Sequence, residues 1–312
     1  MLIEKKPKIK ERYFRYMEYF ENARSAFKSL LLRLGFPGNY KILIPSYIGW
    51  SPNEGSGVFD PISELRASYS FYRINSELHI DIDDLKSKLN ELKPKVLLLI
   101  HYFGWPDPRI KDIVKIANKK GCLIIEDEAH ALFSDLVGNS GGRYGIASIF
   151  SLHKMLPLET GGLLVINIDG SFDNKLINKN RDNSVLGLLN QYDLAMISDK
   201  RVENFYYLKD KLSQYKDIIK MLRPELPRGV IPQSFPLLLR EGQRDEIYRK
   251  MNELGFGLVS LYHTLIKEID LDLYYESYSI SKKIINIPLH QDIEIKQLEN
   301  MVHQLIYLIE NT

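Results

Sequence analysis

The sequence predicts an α/β fold with a mostly parallel central sheet, followed by a smaller α+β unit. Three observations carry this. Residues 95–101 (KVLLLIH) are continuously apolar, the pattern of a central parallel strand covered on both faces. Residues 107–120 then read as a helix closed by Gly121, and 122–126 as the next strand; this strand–helix–strand rhythm is how parallel sheets are built. Beyond residue 190 the order changes to helix (194–214), strand (234–239), helix (243–254), strand (284–288) and a last amphipathic helix (294–310). The expected division is therefore 1–190 for the large unit and 191–312 for the small one.

The N-terminal 13 residues are polar and read as a loose arm or short strand. Residues 19–35 read as a helix, with Ala23, Ala26, Phe27, Leu30, Leu31 and Leu34 at helical spacing, Asn22 available as N-cap and Gly35 as terminator. Such a start presents free backbone N–H groups to an anion. A short buried strand at 41–45 leads into SYIGWSPNEGSGVFDP, a loop of the kind that grips ligands after a sheet strand. Its Trp50 either stacks on a planar group or simply packs. Residues 59–61 begin a helix or turn, 68–72 a strand, and 79–92 a helix started near Asp81. Strands follow at 147–151 and 162–168, then a polar, asparagine-rich stretch at 169–190 expected to form a long loop. In the helix at 194–214, Arg201, Lys209 and Lys211 are expected on wet faces, and 215–232, with three prolines, is expected to be irregular.

Composition excludes several function classes. Forty-two Lys and Arg against 40 Asp and Glu give a net charge of +2, with the lysines spread among acids, so no nucleic-acid partner is expected. No stretch approaches ~18 uncharged apolar residues and no signal peptide is visible, so neither a membrane span nor export is expected. The single cysteine, Cys122, excludes a disulfide framework and points to a reducing, cytoplasmic setting. The histidines lack zinc-ligand spacing, and no metal site is expected.

The chemistry concentrates between residues 122 and 162. One strand ends at Asp127, another at Ser151, Lys154 follows in an uncharged stretch, and Gly161-Gly162 opens a third strand. That order supplies what pyridoxal 5'-phosphate (PLP) requires: a carboxylate for the ring nitrogen (Asp127), an amine for the aldehyde (Lys154), and donors for the phosphate. The donors are the Ser151 hydroxyl and the Ala23 and Arg24 amides at the start of the early helix, with the Arg24 guanidinium as a further contact. Gly161 and Gly162 allow close backbone approach. Strand alternation turns Glu126 and Glu128 away from Asp127. His130 either packs on the ring, bonds near its phenolic oxygen, orients Asp127, or is structural.

With these residues in place the chain resembles the DegT/DnrJ/EryC1/StrS family, the PLP-dependent aminotransferases of nucleotide-sugar biosynthesis. The resemblance runs through Pro45-Ser46-Tyr47-Ile48-Gly49-Trp50, Phe59-Asp60-Pro61, Ile100-His101-Tyr102-Phe103-Gly104-Trp105-Pro106, Ile125-Glu126-Asp127-Glu128-Ala129-His130, and Gly145 to Leu152. It continues to Lys154 with Gly161 seven residues on, then Leu261-Tyr262-His263 and Ile287-Pro288-Leu289-His290. It implies fold type I. It implies Lys154, Asp127 and His130 as catalytic residues, and a cofactor cup of Ala23, Arg24, Trp50, Asp127, His130, Ser151 and Lys154. It also implies an amino-acid donor such as glutamate, a keto-sugar acceptor and a homodimer. Two departures stand out. Ser151 and Lys154 are three residues apart where family members have two more, and His153 adjoins the lysine. The chain is short for the family by some tens of residues, with the missing part between Ile168 and Gly187. A sister activity, sugar dehydration with histidine at the lysine position, and a non-catalytic PLP-fold protein are the alternatives.

Overall fold

The computed structural model describes residues 14–168, 184–259 and 261–312. Its strands and helices in chain order are β1 (Phe14–Phe20), α1 (Ala23–Arg33), β2 (Lys41–Pro45), α2 (Phe59–Glu64), β3 (Ser68–Tyr72), α3 (Ile82–Leu92), β4 (Val96–Ile100), α4 (Ile110–Lys119), β5 (Leu123–Asp127), α5 (Leu132–Leu136), β6 (Ala147–Ser151) and β7 (Gly162–Ile168). Then come α6 (Ser184–Leu189), α7 (Leu194–Leu212), β8 (Lys220–Met221), β9 (Ser234–Leu238), α8 (Arg244–Glu253), α9 (Tyr275–Lys283), β10 (Ile284–Pro288) and α10 (Ile295–Glu310). Seven strands form one sheet in the order β1-β7-β6-β5-β4-β2-β3. The pairs from β6 to β3 are parallel, and β7 runs antiparallel to both of its neighbours. The second sheet, β10-β9-β8, is antiparallel. A mostly parallel sheet with flanking helices, followed by a small antiparallel sheet with its own helices, is the fold type I architecture.

Strand alternation divides the core. Ile42, Ile44, Val96, Leu98 and Ile125 face α1, whose Phe27, Leu30 and Leu31 are buried against them. Leu43, Leu97, Leu99 and Ile124 face the other way, into a cluster shared with β9, β10 and α10. Each inner strand is covered on both faces, which is why these segments are uniformly apolar. No helix among the described residues is long and apolar enough to cross a membrane.

Three expectations are corrected. Residues 19 and 20 belong to β1, and the helix begins at Ala23. The stretch FRYMEYF pairs along its whole length with β7, and that distant partner outweighs local helical preference. Arg201 is 3% exposed, not on a wet face. It donates to the carbonyls of Gln233 (3.0 Å), Pro232 (3.4 Å) and Met155 (3.4 Å). The irregular 215–232 stretch contains the two-residue strand β8, and α5 and α9 were not anticipated. The N-terminal arm and most of the asparagine-rich loop lie outside the described residues; its end is the short helix α6.

Candidate active site

A cavity of about 470 Å³ opens where β5 and β6 end, the usual place for ligands in such sheets. Every site residue named from the sequence lines it: Ala23, Arg24, Trp50, Asp127, His130, Ser151 and Lys154. The register explains the convergence. Asp127 ends β5 beside Ile149 of β6, Ser151 ends β6 opposite Gly162 of β7, and Gly162 backs onto the start of α1. A Cβ on Gly162 would lie 2.1 Å from the Asn22 carbonyl carbon, so only glycine lets α1 begin this close to the sheet.

Asn22 is the N-cap: its side-chain oxygen accepts from the Ser25 N–H at 2.8 Å. The Ala23 and Arg24 N–H groups, at the first helical positions, have no intrahelical acceptor and lie at the cavity wall. The Arg24 side chain is directed elsewhere: it donates to the Glu54 carbonyl and lies 3.6 Å from the Asp60 carboxylate. Across the same corner is Ser151, 3.4 Å from the His153 ring.

At the other end, Lys154 Nζ lies 3.4 Å from His130 Nε2. Lys154 is reached by water through the cavity, yet protein atoms crowd its amine and hold it below the ordinary lysine range against the attraction of Asp127 and Glu54. Burial, with Lys154 adding to it, pushes His130 well below the usual histidine range, so its ring is neutral. The Phe103 N–H points at His130 Nδ1 at 3.3 Å, which places the ring proton on Nε2, facing Lys154. Phe103 also stacks on the His130 ring, 6.0 Å between centroids and 9° between planes. The Asp127 carboxyl accepts from the Ala129 N–H at 2.9 Å, but burial still raises it above the ordinary aspartate range.

Sequence reasoning passed over Glu54, and it named His153, Tyr262 and His263 without placing them in the cofactor cup; all four line the cavity. The last two come from the C-terminal part, where Trp50 N–H donates to the Thr264 carbonyl (2.9 Å) and Ile266 N–H to that of Ile48 (3.0 Å). The Tyr262 ring stands edge-on to His130 at 5.9 Å and close to Tyr47 at 5.1 Å. The Leu261-Tyr262-His263 motif was the available signal; that it folds back onto the loop after β2 was not.

These residues fit PLP. An amine of lowered basicity, a buried carboxyl in want of a cation, and helix N–H groups beside a serine match its aldehyde, ring nitrogen and phosphate.

The comparisons with known proteins agree. Residues 56–179 match the model of the DegT/DnrJ/EryC1/StrS aminotransferase family. A curated relative, UDP-4-amino-4,6-dideoxy-N-acetyl-beta-L-altrosamine transaminase of Campylobacter jejuni, is 23% identical over 295 residues, covering 78% of this chain and 74% of its own. The solved structure of Helicobacter pylori PseC, an aminotransferase involved in the biosynthesis of pseudoaminic acid, superposes with a TM-score of 0.77 at 18% identity, over 95% of this chain and 87% of that one. Escherichia coli GDP-4-keto-6-deoxy-D-mannose-3-dehydratase superposes with a TM-score of 0.73 at 16% identity, over 93% and 87%. With the sheet order and the cavity at its strand ends, the chain is similar in fold to these enzymes, and over residues 56–179 it is similar in sequence to the DegT/DnrJ/EryC1/StrS aminotransferases.

Proposed function

We propose that the protein is a PLP-dependent aminotransferase that moves an amino group from glutamate or a similar donor to a nucleotide-linked keto-sugar. The observation that carries this reading is the convergence of Lys154, Asp127, Ser151 and the α1 N-terminus on one cavity. PLP, when bound, would supply an aldehyde and an electron-accepting ring. Lys154 would hold the aldehyde and afterwards carry the proton to and from the reacting carbon. Burial lowers its basicity, and His130, with its proton on Nε2, faces that amine at 3.4 Å without competing for a proton. Asp127 offers its carboxylate to the ring nitrogen, and the Ala129 N–H fixes its direction. Ser151 and the Ala23 and Arg24 amides, which line the cavity at the helix end, would hold its phosphate. The sugar class rests on the curated transaminase named above, whose substrate is a UDP-linked amino sugar. The same reading includes a homodimer, a cytoplasmic location and a unit boundary near residue 190.

Sugar dehydration is the second reading, favoured by one observation: His153 lines the cavity beside Lys154. Borohydride reduction of PLP-loaded protein followed by mass mapping separates the two. A pyridoxyl group on Lys154, and loss of the visible absorption band when glutamate is added, support transamination. Bound but unattached PLP would favour dehydration, and no binding would remove both.

A further inference from the structure

Behind Asp127, on the opposite face of β5, lies a group of side chains that the proposed reaction does not use. His101, Glu126 and Glu128 are 1%, 0% and 0% exposed. His101 Nε2 lies 2.9 Å from Glu126 Oε2 and 3.0 Å from Glu128 Oε1. One nitrogen of His101 and one oxygen of each glutamate lie within 4.8 Å of one another. The two carboxylates are held differently. Glu126 is oriented from behind by three backbone donors: Gly142 N–H to Oε2 at 3.0 Å, and Tyr144 and Gly145 N–H to Oε1 at 2.7 Å each. Glu128 points into the same space; its Oε1 meets the His101 ring at 3.0 Å, the nearby Gly142 N–H is shared with Glu126, and neither oxygen makes a well-formed hydrogen bond of its own. One imidazole N–H cannot satisfy two converging carboxylates, and a buried carboxylate with no donor of its own is costly.

We propose that His101, Glu126 and Glu128 form a binding site for a divalent transition-metal ion of the zinc type. One imidazole and two carboxylates are a donor set that such ions accept, and the two negative charges balance a dication. Ligand atoms ~2.0–2.2 Å from a common ion, viewed at right to tetrahedral angles, lie ~2.8–3.6 Å apart. Both imidazole-to-carboxylate spacings fall in that range. The backbone donors on Glu126 act as the outer bonds that aim a metal ligand. Gly141 completes the wall: a Cβ there would come within 2.7 Å of Glu128 Oε1. Spacing along the chain conceals this set, because His101 and Glu126 are 25 residues apart and meet only through the pairing of β4 with β5. The ion would tie β4, β5 and the 141–145 loop together behind the Asp127 carboxylate.

The site is independent of the proposed reaction and is tested without turnover. Full-length protein is stripped with EDTA, desalted, and offered Zn²⁺ or Co²⁺. Bound metal is then measured by elemental analysis, and the thermal midpoint is followed. The wild type is expected to retain roughly one ion per chain, to gain a visible Co²⁺ spectrum, and to rise in thermal midpoint with Zn²⁺. Glu128→Gln, similar in shape, is expected to bind at least about tenfold more weakly while keeping the wild-type circular dichroism. No retained metal and no rise in midpoint for the wild type would overturn the proposal whatever the variant does. Equal uptake by the wild type, Glu128→Gln and His101→Gln would overturn it too, as adventitious binding.

Discussion

Lys154 is placed where its own charge is disfavoured, and this has a measurable sign. Its folded-state pKa is lowered, so as pH falls through the ordinary lysine value of ~10.4 the unfolded chain takes the proton more readily than the native one. The native state is therefore penalised at neutral pH, and the penalty vanishes above that value. Lys154→Met is expected to raise the thermal midpoint of cofactor-free protein at pH 7, with the gain shrinking as pH approaches ~10.4. The same change is expected to reduce turnover by about 10²–10⁴-fold, the usual worth of a proton-transfer group. A lower midpoint would mean that the attraction of Asp127 and Glu54 outweighs burial. Arg201 is also a cation whose charge burial disfavours, but its hydrogen bonds tie three backbone carbonyls together. Arg201→Met leaves the Met155, Pro232 and Gln233 carbonyls without their donor, and urea titration should show a loss of about 1–3 kcal/mol. Its position was legible. Ile197, Arg201, Phe205, Leu208 and Leu212 lie on the buried stripe of α7 at helical spacing, and only the charge argued for a wet face.

At the scale of elements, the contact between α1 and β7 is the one that shapes the end of the cavity proposed to take the phosphate. Gly162→Ala would drive a Cβ into the Asn22 carbonyl carbon at 2.1 Å and the Ala23 nitrogen at 2.5 Å. Both are backbone atoms, so the helix must move. The expected result is a loss of about 1–3 kcal/mol in chemical unfolding, as for other overpacked sites, with weaker PLP binding in a fluorescence titration. Asn22→Ala, which removes the cap without a clash, should cost about 0.5–2 kcal/mol. Stability lost with PLP affinity unchanged would show that the α1 N-terminus does not hold the phosphate. The cap was readable because asparagine before an apolar helical stripe has one economical role. The strands at Ala147–Ser151, Gly162–Ile168 and Ile284–Pro288 were readable because each is a short, buried, mostly apolar run. β1 was not. It is an edge strand whose Arg15 and Glu18 find partners in Asp135 and Arg33, and nothing local in its sequence announces a partner in β7 about 150 residues away.

At the scale of the whole molecule, the proposed boundary at residue 190 separates two patterns of secondary structure but not two cores. One apolar cluster runs from Leu43, Leu97, Leu99 and Ile124 on the large sheet, through α4, to Phe235 and Leu237 on β9, Ile285 on β10 and Leu305 on α10. Cutting the chain at 190 would expose that face of the large sheet. Four fully buried side chains at about 1.5–3 kcal/mol each already amount to about 6–12 kcal/mol. That is comparable with the whole stability of an ordinary domain, ~5–15 kcal/mol. The cavity would also lose Leu261, Tyr262 and His263, and with Tyr262 the ring set edge-on against His130. A fragment of residues 1–190 is therefore expected to keep far-ultraviolet circular dichroism but lose near-ultraviolet signal and bind hydrophobic dye, the behaviour of a chain with secondary structure and no fixed packing. Cooperative unfolding of that fragment, with PLP bound at Lys154, would show that the C-terminal part only covers a self-sufficient unit. The shared core predicts the reverse: residues 191–312 complete the fold of the part that carries the chemistry.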